Sequence, residues 1–303
     1  MAAPTRTAIV PPRLASLPRE WEQLEYSSRS LVVVGDGRRL LRAWGAPEAP
    51  WVLAVEPVGQ RWQVEAPDGR VEARAVRAAA RALFSFAHPI EEFYRQVRSE
   101  PVLRGTERRF RGLRLPRDAN LYEALFHSIV GQQLSVAAAN AMKRRLIERT
   151  GPVLAHGRVE VPHVPRPSAL RALGPEGLRA VGVSGAKARA LGALAATADF
   201  PPERIAEWRR GELAAAIEAL TALPGVGRWT AENALLRGVG RPDVFVGGDL
   251  GIRVALDAYG VVPRGAPEAT VRAWADRHYP GWGSYATLYL WRKWVEDRPG
   301  KTG

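Results

Sequence analysis

Leu223-Pro224-Gly225-Val226-Gly227 is the stretch that most constrains this chain, because it lies between two helical patterns, one ending near Leu220 and the other starting near Arg228. Two glycines in five residues, just after a proline that does not continue a helix, force a tight reversal. Gly225 and Gly227 are both read as positions of positive φ and close backbone approach. Val226 is read as pointing inward to pin the two helices. The turn amides, together with the N-terminus of the following helix, make a place for a phosphate oxygen. An ordinary helical turn can carry the same five residues, so the surrounding sequence has to decide.

Charge narrows the choice. Lysine and arginine total 44 against 31 acidic residues, a net charge of +13, which favours a polyanion: nucleic acid or an anionic membrane surface. No apolar run approaches the roughly 20 residues that span a bilayer. The first ten residues lack the apolar core of a secretion signal, and the arginines are dispersed instead of lining one face of a helix. Nucleic acid is therefore preferred, with a cytoplasmic location expected. There is no cysteine, which excludes disulfides, iron–sulfur clusters and thiolate zinc sites. His88, His127, His156, His163 and His278 show no i, i+4 pair, so a catalytic transition metal is not expected.

The expected fold class is α+β but mostly α, with residues 1–90 forming a small antiparallel-sheet domain. Leu31 to Val34 before the Gly35-Asp36-Gly37 turn, Trp51 to Val55, Trp62 to Glu65, and the alternating Val71 to Arg74 after a Pro67–Arg70 turn all read as strands. From about Ile90 the pattern becomes helical, and residues 91–303 are expected to form a helical array in two parts with a cleft between them. Asn120 and Ser135 are candidate helix caps. Leu178 to Ala190, with Gly182 and Gly185, looks like a weaker version of the 220–231 hairpin. The arginines at 104, 108, 109, 111, 114 and 117 are dense enough for a phosphate-contacting patch, or equally for a solvated linker.

Beyond the second hairpin helix, Gly247-Gly248-Asp249 leads into a new helical pattern. Aspartate is a favoured N-cap, and a carboxylate at a helix N-terminus is favoured in its charged form. A charged carboxylate is what an oxocarbenium-like sugar needs beside it as a base departs.

The hairpin, this loop and the aspartate together resemble the helix–hairpin–helix (HhH-GPD) DNA glycosylase superfamily, and within it bacterial 3-methyladenine DNA glycosylase II. The likeness runs from about Leu113 to Trp294. Gly112 to Pro116, Ile129 to Val136, and Trp282 to Ala286 with Trp291 also support it. The resemblance implies that Asp249 is the catalytic residue and that Trp229 and Trp291 are walls of a base pocket, with Asn233 and Leu250 at positions where the best-known member has tyrosines. In related enzymes that also cut the backbone, a lysine stands where Trp229 stands; tryptophan has no amine for a Schiff base, which implies hydrolysis alone. Gly225, Val226, Gly227, Arg228 and Thr230 would contact DNA, as would Gln132, Gln133, Leu134 and Ser135 of the turn that fills the gap left by a flipped base. Gln132 could instead cap a helix. The backbone of Thr221, Leu223 and Val226 matches a family site for a structural Na+ or K+, and no other cofactor is implied. The partner would be damaged double-stranded DNA, met by a nucleoid-associated monomer. A hairpin protein without chemistry, a glycosylase with lyase activity or for another lesion class, and a basic membrane-surface protein are the rival readings. An isolated tryptophan is also more often core than pocket wall, as expected here for Trp282 and Trp294.

Overall fold

The computed structural model describes residues 3–12, 33–35, 38–67, 69–151, 153–197 and 200–298. Five strands, β1 (Thr5–Ile9), β2 (Val33–Gly35), β3 (Leu40–Gly45), β4 (Pro50–Val58) and β5 (Arg61–Ala66), form one sheet in the order β1-β5-β4-β3-β2 with every neighbour antiparallel. Trp51 to Val55 and Trp62 to Glu65 fall inside β4 and β5 as expected, whereas β3, which follows the Gly35-Asp36-Gly37 stretch, is not among the expected strands. Leu31, Val32, Asp36 and Gly37 lie outside the described residues.

Val71 to Arg74 is not a strand. It leads into α1 (Ala73–Leu83), where Val76, Ala79, Ala80 and Leu83 are buried at helical spacing. An alternation of only four residues also fits the entry to an amphipathic helix, and the alanine- and arginine-rich continuation favours the helix. This helix covers one face of the sheet, where Trp62, Phe84 and Phe86 meet with ring centroids 5.1 to 5.4 Å apart.

The remaining chain is helical apart from one short hairpin. α2 (Ile90–Ser99), α3 (Thr106–Arg109), α4 (Leu121–Gly131) and α5 (Val136–Thr150) precede β6 (Val153–His156) and β7 (Val159–Pro162). Then follow α6 (Pro167–Ala180), α7 (Gly185–Ala196), α8 (Pro202–Arg210), α9 (Leu213–Thr221), α10 (Arg228–Ala234) with a π turn at Leu235–Val239, α11 (Leu250–Ala258), α12 (Glu268–His278) and α13 (Gly283–Asp297). The β6–β7 hairpin packs Leu154 and Val161 on the second face of the sheet, against Leu41, Ala43, Val52 and Ala54. Helix α4 is the axis of this half, buried from Leu121 to Val130. Its N-cap is Asn120, which accepts the Glu123 amide at 2.8 Å, and Ser135 caps α5 by accepting the Ala138 amide. Among the described residues no helix is long and apolar enough to cross a membrane.

Two arginines expected in a phosphate patch turn out to be interior. Arg114 donates to the carbonyls of Ser85 and His88, and Arg117 to those of Arg237 and Gly238. Arg109 pairs with Asp297 and Glu296. The buried guanidinium groups of Arg114 and Arg117 thus find carbonyl acceptors inside the protein, as buried donors must.

Arg42 of β3 makes a polar connection between the sheet and the helices. Its guanidinium lies 2.7 Å from Glu123 and 4.0 Å from Asp118, all three buried, and His127 is 3.3 Å from the same Glu123 oxygen. Burial alone would raise the Glu123 carboxyl, but Arg42 and His127 outweigh it and hold the group well below the usual carboxylate range. Such a group stabilises the fold above its unfolded pKa, about 4.3, and loses that contribution as pH falls below it. Arg42→Met, which removes the cation facing two buried carboxylates, should cost about 3–5 kcal/mol in urea unfolding at pH 7. The loss should shrink as the pH is lowered through the carboxylate range.

Candidate active site

Helices α9 and α10 meet in the turn read from the sequence. The Leu223 amide donates to Leu220 O and the Val226 amide to Leu223 O, at 3.1 and 3.0 Å. Val226 is buried and the turn around it is exposed. Gly225 has φ +76, and a Cβ there would run into Ala190 of α7, so both conformation and packing require glycine. Gly227 differs from expectation: its φ is −84, ordinary for any residue, and a Cβ would meet nothing within 4 Å. Among the described residues none accepts a hydrogen bond from the amides of Gly225, Gly227 or Arg228. All three residues are exposed.

The chain next passes along an extended loop that lies directly on the start of α13. Ser284, fully buried, donates to Arg241 O and accepts from the Val244 amide, while Thr287 accepts from the Val246 amide. A Cβ at Gly283 would come within 2.7 Å of the Phe245 nitrogen, so the loop backbone can sit there only over glycine. Arg241 holds Asp243 through two hydrogen bonds of 2.9 and 2.6 Å, and reaches back to Trp208 O and Gly211 O. The motif Trp282-Gly283-Ser284 is thus a seat for this loop. Sequence reading quoted the motif without seeing that use.

The loop ends at Asp249, the N-cap of α11. One carboxylate oxygen accepts the Ile252 amide at 3.1 Å; the other accepts the indole N–H of Trp229 at 3.0 Å. Gly251 shows how near the second tryptophan lies. A Cβ built there would be 3.1 Å from both Asp249 Oδ1 and Trp291 Nε1. Asp249, Trp229 and Trp291, 62 residues apart in sequence at the extremes, therefore form one half-buried group beside the hairpin.

Other site candidates divide. Asn233 donates to Trp229 O at 2.9 Å, one turn along α10, and braces that tryptophan. Leu250 is 61% exposed and stands at the rim. Between α4 and α5, Gln132 donates at 2.9 Å to both Gly225 O and the buried Thr230 hydroxyl, so it ties this turn to the hairpin. Gln133, at φ +54, is exposed together with Leu134 and Ser135. Thr230 is 1% exposed and serves that link. Sequence reasoning missed Glu232 of α10, a buried carboxylate held by Arg228 and Arg272. Burial pushes it above its ordinary value despite the pull of both arginines.

Comparison with known proteins shows which family builds this arrangement. The model of the HhH-GPD superfamily base excision DNA repair proteins matches residues 126–277, half of the chain. The chain belongs to the HhH-GPD superfamily.

Its HhH-GPD relatives include the probable bifunctional transcriptional activator/DNA repair enzyme AlkA of Mycobacterium tuberculosis, 32% identical over 215 residues, or 71% of this chain and 42% of that protein. DNA-3-methyladenine glycosylase 2 of Escherichia coli is 35% identical over 182 residues, 59% of this chain and 60% of that protein. The chain spans about half the length of these curated relatives. The solved 3-methyladenine DNA glycosylase from Archaeoglobus fulgidus has the same fold, with a TM-score of 0.80 at 23% identity over 95% of this chain and 98% of that one. Within the HhH-GPD fold, the two hairpin glycines should respond differently. Gly225→Ala, strained and overpacked, should lose about 2–4 kcal/mol, and Gly227→Ala should melt close to the wild type, both read by thermal unfolding.

Proposed function

We propose that this chain is a DNA glycosylase of base excision repair that turns an alkylated purine out of duplex DNA and hydrolyses its N-glycosidic bond. The observation that carries this reading is the Asp249 carboxylate, held between a helix amide and an indole N–H beside the hairpin. The family and the names of its relatives support it.

In this reading the amides of the exposed Gly225, Gly227 and Arg228, with the Arg228 side chain, grip a phosphate. Gln133 and Leu134, at the tip of the α4–α5 turn, fill the space vacated in the duplex. The extruded base lies between Trp229 and Trp291, with Asn233 and Leu250 at the margins. Electron-rich indole faces favour a base that alkylation has made cationic, and such a base is already a good leaving group. As the bond to the base lengthens, positive charge grows on the deoxyribose, and the Asp249 carboxylate stabilises it and orients the attacking water.

A lyase step needs an amine near the sugar, and the three lysines among the described residues are paired or buried. Lys187 donates to Val130 O, Lys293 pairs with Asp297, Lys143 is buried in α5, and Lys301 lies outside the described residues. Base removal without strand cutting is therefore part of the proposal, as is action by a monomer. The carbonyls of Thr221, Leu223 and Val226 would hold Na+ or K+ at the turn. Leu223 O accepts one amide and keeps a lone pair for such an ion, which would stiffen the grip.

The test is base release from duplexes carrying 3-methyladenine, 7-methylguanine, 1-methyladenine, ethenoadenine, hypoxanthine or uracil, with and without alkali. Methylated purines should be released, and strands should break only after alkali. Asp249→Asn should bind DNA while its single-turnover rate falls by about 10²–10³ or more; an unchanged rate would remove the mechanism. Trp229→Phe keeps an aromatic side chain but loses the indole donor, and should slow release about tenfold through a misplaced carboxylate. Affinity should fall steeply between 50 and 200 mM salt, by about 10³ if six phosphates are contacted. A flat salt profile would contradict the phosphate grip.

A further inference from the structure

The two glycines before Asp249 pass beneath a set of charged side chains. Arg272 of α12 donates Nε and Nη2 to the two oxygens of Glu232 on α10, at 2.9 and 3.1 Å, and Nη1 to Glu268 at 2.8 Å. Its alkyl stem covers Gly247, where a Cβ would lie 2.8 Å from Arg272 Cγ. At Gly248 a Cβ would lie 3.1 Å from the Glu268 carboxylate. Glu232 is 2% exposed at its side chain and also accepts Arg228 Nε. The guanidinium thus bridges the hairpin helix and α12 directly over the segment that delivers the carboxylate. Both glycines leave room for the bridge, and they also leave the segment without side chains that could fix its path.

We propose that Arg272 is a positioning residue for Asp249, with Glu232 and Glu268 fixing its guanidinium so that its stem presses the Gly247-Gly248 segment into place. This rests on reading Asp249 as the catalytic carboxylate. Arg272 touches neither base nor sugar in the proposal. It acts by fixing where Asp249 stands relative to the hairpin that holds the DNA. Because the bridging carboxylate is buried, bulk salt screens this link far less than it screens phosphate contacts.

The experiment separates binding from chemistry in the 303-residue chain. Single-turnover base release is measured at saturating 3-methyladenine duplex, and affinity is measured on a duplex with a tetrahydrofuran abasic analogue. Arg272→Met keeps the stem's bulk and loses both ion pairs; its release rate should fall about tenfold to a hundredfold, as an ångström of misplacement would give. Its affinity for the analogue should change by less than about threefold, since no phosphate contact is removed. Arg272→Lys, which can still pair with one carboxylate, should regain part of the lost rate. Glu268→Gln, at an exposed position, keeps the idea testable if Arg272→Met is unstable, and should slow release about threefold with binding retained.

Gly247→Ala adds a second arm. It should slow release in the wild-type background and do so less when Arg272 is alanine, because the clash partner is then gone. A wild-type rate in folded Arg272→Met or in Glu268→Gln would overturn the proposal. So would a loss confined to affinity, which would make Arg272 a DNA contact. If the wild type released no base, the enzymatic reading itself would fail, an outcome visible before any of these variants is compared.

Discussion

One carboxylate, at the meeting of a loop and a helix, sets the geometry on which this molecule depends. Asp249 uses one oxygen to close the N-terminus of α11 and the other to receive the Trp229 indole. A side chain with both oxygens engaged in this way has little rotational freedom. Its bond to Trp229 spans two separate stretches of chain, so the hairpin helix and the helix after it must be registered against each other to within hydrogen-bonding tolerance. The loop stitched to α13 by Ser284 and the charged bridge over Gly247-Gly248 serve that registration. In the proposed reaction a carboxylate that need not reorganise stabilises transient charge best, and both oxygens of Asp249 are already held.

The parts of this design that could be read from sequence are those written in local chemistry. Asn120, Ser135 and Asp249 all cap helices as their residue types indicate, because a short polar side chain before an apolar helical pattern has few other uses. The 220–231 hairpin was equally local, down to Gly225. Gly227 was misread since its residue type permits positive φ without requiring it, and nothing in the sequence distinguishes permission from need. Trp229 and Trp291 could be grouped with Asp249 only through family resemblance; 62 residues separate the two rings, and periodicity carries no information across that distance.

What stayed hidden was long-range. Arginines at 114 and 117 look like surface residues in any count of charge, and their burial depends on carbonyls more than a hundred positions away in the case of Arg117. Glu232 and Arg272, forty residues apart, look like two ordinary helix-surface charges until α10 and α12 face each other. β3 escaped notice for a related reason: its strand character comes from burial on both faces, not from alternation within it.

The π turn at the end of the hairpin helix has a consequence for how this protein can be cut or grafted. Arg117 plugs the carbonyls of Arg237 and Gly238, and its guanidinium occupies the space where any side chain at Gly240 would go. Arg117 lies upstream of the segment matching the family, and Ser284, which seats the Asp249 loop, lies downstream of it. The family-matching middle is therefore not an excisable module. A shortened chain starting after Arg117 would open a hole beside Gly240 and the π turn, and one stopping before Ser284 would leave Asp249 on an unmoored loop.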